Sequence, residues 1–225
     1  MHPQWLIFRS EPETIKTVAE HLHGIVLDIG CGNRWIERAL PANSIYVGLD
    51  YPSTAQLGYR DRPTVYGNGQ QLPFADNSFD CVAMMDVLEH MPEPGRALVE
   101  SWRVLKPQGT ILIQVPFLYP LHDEPYDFQR WCEEGLRHLC DISGFEIQLL
   151  KSREPPITTA ASLLAIALAK SALDAITNKH ITLLLTPLII ILIPIVNILG
   201  WLAGQILPDS NMMPSSYTVL ARKNS

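Results

Sequence analysis

The residues with the clearest capacity for chemistry stand at Asp28-Ile29-Gly30-Cys31-Gly32, directly after the short apolar run Ile25-Val26-Leu27. Two glycines one residue apart leave the backbone bare, so that a ligand can approach the peptide groups themselves. About twenty residues later Asp50 closes a second apolar run, Ile45 to Leu49, where a carboxylate can accept hydrogen bonds from both hydroxyls of a ribose. A lone G-x-G is also what a plain turn looks like. A strand before it and a terminal Asp after it favour a nucleotide-type site. Two further groups carry proton-transfer chemistry. One is His90 beside Glu89. The other is the stretch Pro116 to Asp127, which places His122 among Asp123, Glu124 and Asp127.

These residues need elements to hold them. Ile15, Val18, Ala19 and Leu22 at helical spacing predict a lead-in helix over 1–24, stopped by Gly24. Short apolar runs at Ile25 to Asp28, Ile45 to Leu49, near Thr64 to Tyr66, and at Phe79 to Met85 read as strands. A helix from about Pro94 to Leu105 should stop at Lys106-Pro107-Gln108-Gly109, ahead of a fifth strand from Thr110 to Val115. Glu133 to Ile142 reads as a helix, Phe145 to Leu150 as a sixth strand, and Ser216 to Arg222 alternates like a last one. Strands that alternate with helices argue for an α/β fold, a parallel sheet covered on both faces. In such sheets ligands bind beyond the carboxyl ends of the strands, which is where the Gly turn and Asp50 fall.

The segments Val26 to Asn33, Val47-Gly48-Leu49-Asp50, Gln71-Leu72-Pro73-Phe74 with Ser78-Phe79-Asp80, Val87-Leu88-Glu89-His90 and Arg103 to Gly109 together resemble the class I S-adenosylmethionine-dependent methyltransferases, in particular the methyltransferase type 11 group. The likeness covers about Val26 to Leu150. It implies a Rossmann-like seven-stranded sheet, its last strand antiparallel and inserted between strands five and six, with helices on both faces. It implies S-adenosyl-L-methionine as cofactor, with Asp28, Gly30 and Gly32 along its methionine part, Asp50 at the ribose, and Cys31 and Tyr51 among the cofactor-binding residues. Asn68, Gly69 and Gln70 would lie at the adenine, and Asp86 beside the sulfonium. Asn68 stands where relatives usually carry Asp, and Arg34 where many have a third glycine.

Methyl transfer of this kind asks mainly for in-line positioning and, where needed, removal of a proton. His122 is the leading base by this reading, with His90 and Asp127 as further candidates. His90 can equally be a helix-start residue that shapes the pocket. His122 and Asp127 can equally order their loop, and Asp127 with Arg130 can form a helix-start ion pair.

Composition then locates an appendage. The chain has 225 residues, 47% hydrophobic and 18% charged, where a soluble domain carries roughly 25% charge. The deficit is local, because Ile157 to Leu207 holds only Lys170, Asp174 and Lys179, and nothing from Ile181 to Leu207 is charged. A run of about 20 apolar residues is long enough to span a bilayer. We expect a helical hairpin over 157–208, set between strands six and seven of a methyltransferase domain formed by 25–156 and 209–225. Both its ends return to one sheet, so it crosses a membrane an even number of times or lies in the interface. Strand direction places its departure on the cofactor edge of the sheet. The alternative is a buried cap or dimer interface on a soluble enzyme.

The functional expectation is a methyltransferase at the cytoplasmic face of a membrane, acting on a lipophilic or lipid-linked acceptor. Two others stay open: methylation of a soluble sugar or small metabolite with the hairpin as anchor, and a non-catalytic membrane adaptor on the same scaffold. A net charge of −6 gives no footprint for nucleic acid. Cys31, Cys81, Cys132 and Cys140 show no zinc spacing, no metal ligands are expected, and with no signal-peptide pattern the cysteines read as reduced thiols. Oligomeric state and the acceptor atom are left open.

Overall fold

The structure is a computed structural model that describes residues 19–53 and 61–224. The expected lead-in helix falls largely on 1–18, outside the described residues. Seven strands form one sheet: β1 (Ile25–Ile29), β2 (Ile45–Asp50), β3 (Val65–Tyr66), β4 (Phe79–Met85), β5 (Leu105–Pro116), β6 (Phe145–Arg153) and β7 (Ser216–Lys223), in the order β3-β2-β1-β4-β5-β7-β6. β1 pairs in parallel with β2 and β4, and β5 in parallel with β4. β7 runs antiparallel to β5, with Val115 opposite Tyr217.

Side chains that alternate along these strands build two apolar layers. Leu27, Ile29, Val82, Met84, Ile111 and Ile113 point to one face, where helix α2 (Pro94–Val104) contributes Ala97 and Leu98, and α3 (Glu133–Ile142) contributes Leu136 and Cys140. Val26, Cys81, Ala83 and Leu112 point to the other face, against Ile36 of the short helix α1 (Trp35–Ala39) and Leu22. β5 starts earlier than its sequence indicates. Leu105 already pairs with Phe79, and the residues 106–109 form a bulge before Thr110 pairs with Cys81. Gln108 turns there with φ 64°, so the Lys106 to Gly109 signal marks an irregularity inside a strand.

The chain divides into two compact units. The sheet and its covering helices form one. The other spans 152–215 with 118–120 and contains α4 (Pro156–Thr177), a 3₁₀ turn (Ile181–Leu185) and α5 (Thr186–Ile206). Pro187 lies in the first turn of α5, where a missing N–H costs nothing, so only Pro194 interrupts the helix. The buried residues of α4 are small: Thr158, Thr159, Ser162, Ala165, Ala172 and Ala175. Those of α5 are Thr186, Asn197 and Gly200. A Cβ at Gly200 would strike Cβ of Ala161, and one at Gly204 would strike Oγ1 of Thr158. The two helices therefore meet backbone to backbone on a small-residue seam, as Gly-x-x-x-Gly permits.

Candidate active site

The chain order of the sheet reverses between β1 and β4, and a cavity of about 720 Å³ opens beyond the carboxyl ends of these strands. Its floor is the turn after β1. Gly30 adopts φ 73°, and a Cβ there would collide with the Val87 side chain, so only glycine fits. The Gly30 N–H donates to the Leu49 carbonyl at 2.8 Å, which ties the turn to β2. The Asp50 carboxylate accepts from the Gly32 N–H at 2.9 Å and from the Tyr51 N–H at 2.8 Å.

On the third side, Asn68 Oδ1 accepts from the Gln70 N–H at 2.9 Å and shapes the turn that carries Gly69. That turn is anchored from α2, where Glu100 accepts from the Leu72 N–H at 2.8 Å and Arg103 donates to the carbonyls of Leu72 and Phe74 at 3.0 and 2.8 Å. Asp86, after β4, accepts from Gln114 Nε2 at 2.6 Å.

Of the residues expected at a cofactor, Gly30, Asp50, Tyr51, Asn68, Gly69, Gln70 and Asp86 line the cavity. Asp28, Cys31 and Gly32 are not part of that lining. Asp28 is buried, accepts from the Tyr46 hydroxyl at 2.8 Å, and is pushed up to about 7, chiefly by burial. Burial, with Asp28 and Asp50 nearby, pushes the Cys31 thiol up to about 12.

The expected bases gather into one cluster. His90 lies on a 3₁₀ turn (Leu88–His90) rather than at a long helix start, and it lines the cavity. Its Nδ1 is 2.9 Å from the Tyr126 carbonyl oxygen. His122 and Asp127 sit behind the lining. Asp127 is not at a helix start; it is held in a loop by Arg130, whose two nitrogens donate at 2.5 and 2.7 Å. These bonds hold the Asp127 carboxyl well below the usual carboxylate range. Asp127 also accepts the His122 N–H at 3.0 Å, so it orients His122 and does not itself face the cavity. Between the histidines stands Glu89, which the sequence offers only as the neighbour of His90. Its side chain is fully buried, and burial followed by the neighbouring Asp86 pushes its carboxyl up to about 8. The Phe128 N–H donates to the Glu89 carbonyl at 3.0 Å and pins the loop over it.

This strand order, the antiparallel last strand and a pocket at the switch point are those of the class I methyltransferase fold. Residues 27–113 match the family model described as a methyltransferase domain. It is 30% identical over 134 residues to a probable S-adenosylmethionine-dependent methyltransferase of Mycolicibacterium smegmatis, covering 55% of this chain and 52% of that protein. It is 38% identical over 93 residues to a demethylmenaquinone methyltransferase of Renibacterium salmoninarum, covering 39% of each. The chain thus spans about half the length, or less, of the curated relatives it matches.

Among solved structures it resembles the [4+2]-cyclase SpnF, with a TM-score of 0.59 and 21% identity over 96% of this chain and 82% of that one. An Aquifex aeolicus SAM-dependent methyltransferase superposes with a TM-score of 0.50 at 18% identity, covering 68% of this chain and 93% of that one. At such identities the likeness is one of fold, and activity has to be argued from the site.

S-Adenosylmethionine, the cofactor of this class, suits the residues present. The cavity volume lies in the range of cofactor sites, Asp50 offers carboxylate oxygens beside the glycine turn, and Ile29, Leu49 and Met91 supply an apolar slot.

Proposed function

We propose that this chain transfers the methyl group of S-adenosylmethionine to a lipophilic or lipid-linked acceptor at the cytoplasmic face of a membrane. The observation that carries the membrane half is the inside-out make-up of the α4–α5 hairpin. Its seam is built of small and polar residues, while Leu164, Leu173, Ile190, Ile191, Leu199 and Trp201 are exposed. The most apolar 18-residue window of Ile181–Ile206 has a mean hydropathy of 2.6, and only 11% of it is buried. A core helix of a soluble protein has the opposite distribution. The relative named for demethylmenaquinone agrees with an acceptor of quinone type.

Bound S-adenosylmethionine supplies a methyl group made electrophilic by its sulfonium. The residues of the chain do the rest. Asp50 would accept from the ribose hydroxyls, Asn68 and Gln70 would meet the polar edge of the base, and Ile29, Leu49 and Met91 would exclude water from its faces. Asp86 sets a negative charge beside the cationic end. The Glu89–His90–His122 cluster, at the cavity wall, assists the loss of the acceptor's proton. Most of the rate gain comes from holding the reacting atoms in line.

Incubation with S-adenosylmethionine labelled in its methyl group, together with lipid and aqueous extracts, tests the reading. Label should appear in the lipid fraction. Label confined to the aqueous fraction would show a soluble acceptor, and calorimetry without cofactor binding would remove the enzymatic reading altogether.

A further inference from the structure

Glu89 has no exposed surface, and neither of its carboxylate oxygens has a hydrogen-bond partner. A carboxylate left so is costly unless something pairs with it. What faces it is imidazole: His90 Nε2 lies 3.8 Å and His122 Nε2 3.9 Å from Glu89 Oε1. These gaps are too long for hydrogen bonds, yet one ligand atom from each residue lies within 4.8 Å of the other two. Donors placed about 2.1 Å from a tetrahedral zinc-class ion stand about 3.4 Å apart. Two edges of the triangle need to close by about half an ångström, and the third, between the histidines, closes most.

The surroundings hold both rings in place, and that of His90 in the tautomer suited to ligation. A carbonyl oxygen only accepts, so His90 Nδ1, 2.9 Å from the Tyr126 oxygen, carries the hydrogen and Nε2 presents its lone pair. His122 Nδ1 lies 3.3 Å from Asp127 Oδ2 and 3.3 Å from Arg130 Nη2. The Arg130 guanidinium can only donate, so Nδ1 accepts from it and the ring's own hydrogen sits on Nε2, where a bound metal ion would displace it. A histidine whose far nitrogen donates to a carboxylate or a carbonyl is the usual support of a metal ligand. His90 lines the cavity, and Asp123 Oδ2 stands 3.9 Å from its Nε2, so the cluster borders the cavity.

We propose that Glu89, His90 and His122 bind one divalent cation of the zinc class in the acceptor pocket, leaving an open position for an oxygen of the acceptor. Two nitrogens and one carboxylate favour such a metal over magnesium or calcium. The proposal deepens the methyltransferase reading and rests on it for the cation's task, which is to lower the pKa of a bound hydroxyl. The hydroxyl's proton leaves to solvent and its oxygen bonds to the methyl carbon. The carbon–sulfur bond breaks as the new bond forms, with its electron pair staying on sulfur.

The test is cobalt titration of the chelator-stripped full chain, followed by visible absorption, with zinc as competitor. One cobalt per chain should bind. Glu89→Gln and His122→Ala should weaken it about a hundredfold or more, and Asp127→Asn about tenfold or more. His138→Ala, on α3, should bind as the parent does, and circular dichroism checks each fold. Should Glu89→Gln fail to fold, His90→Ala at the cavity wall gives the same reading. A folded parent without a cobalt spectrum, or ligand variants with an unchanged one, overturns the site. Calorimetry with S-adenosylmethionine on stripped protein separates the two readings. Cobalt binding without cofactor binding leaves the site standing and removes the methyltransferase, and the reverse removes only the site.

Discussion

Arg34 adopts φ 54° and ψ 43°, a left-handed conformation that costs a residue with a Cβ about 1 kcal/mol or more. It is held there by an ion pair to Glu37 at 2.7 Å, a hydrogen bond to the Arg62 carbonyl at 3.2 Å, and stacking over Tyr46 at 4.9 Å. Arg34→Ala removes those contacts and keeps the strain, whereas Arg34→Gly removes both. Urea unfolding should therefore find the glycine variant more stable than the alanine variant by about 1 kcal/mol, the reverse of the usual helix order. Asp28 gives a second prediction. Its carboxyl takes up a proton on folding, since it titrates near 7 in the folded chain and near 4 when unfolded. Its contribution to stability is thus largest at low pH and falls as pH rises from about 4 to about 7. Asp28→Asn, which keeps an acceptor for Tyr46, should remove that slope. The variant should gain on the parent by up to about 4 kcal/mol above pH 7, read from denaturant midpoints across pH. Gly30 and Asp50 were legible in the sequence because their spacing follows two apolar runs. Glu89 was not, because an acid beside a histidine looks like any solvated turn. Its burial comes from the loop 121–131 folding over it, and that loop has no periodicity to read.

At the scale of elements, β1, β2 and β4 were legible because strands buried on both faces read as continuous apolar runs. The start of β5 was not, since a bulge at 106–109 and a chain break leave the same turn signal in sequence. The hairpin was visible as an uncharged stretch, but its seam was not, because periodicity in an all-apolar helix is weak. That seam makes a sharp prediction. Gly200→Leu forces a side chain into Ala161 and should cost about 2 kcal/mol, as overpacking does. Leu199→Ala, at a residue 60% exposed, should cost less than about 0.5 kcal/mol in detergent. Thermal unfolding of the two variants in the same detergent checks the order. If the large apolar side chains were the packed ones, Leu199→Ala would be the costlier change.

At the scale of the whole molecule, what matters is how a chain of net charge −6 could hold to a membrane. Electrostatic attraction to anionic lipid is excluded as the main force, since the hairpin carries three charges and the whole chain repels such a surface. Apolar area remains. α4 and α5, with 22 and 21 residues, are each about 30 Å long, close to the hydrocarbon thickness. The charges Lys170, Asp174 and Lys179 all lie toward the turn between the two helices. Lys170 and Asp174 neutralise each other across 2.5 Å, so the segment from Pro156 to Ala169 is free of charge. An anchor of this kind should bind neutral vesicles as well as anionic ones and should resist high salt. Flotation of the full chain with vesicles of both compositions measures this. The paired change Ile191→Glu and Leu199→Glu, on the exposed apolar surface, should release the protein into the soluble fraction. Cofactor binding by calorimetry should stay unchanged, because neither residue lines the pocket. Binding that needed anionic lipid or vanished in salt would mean that the hairpin's apolar surface meets something other than the bilayer.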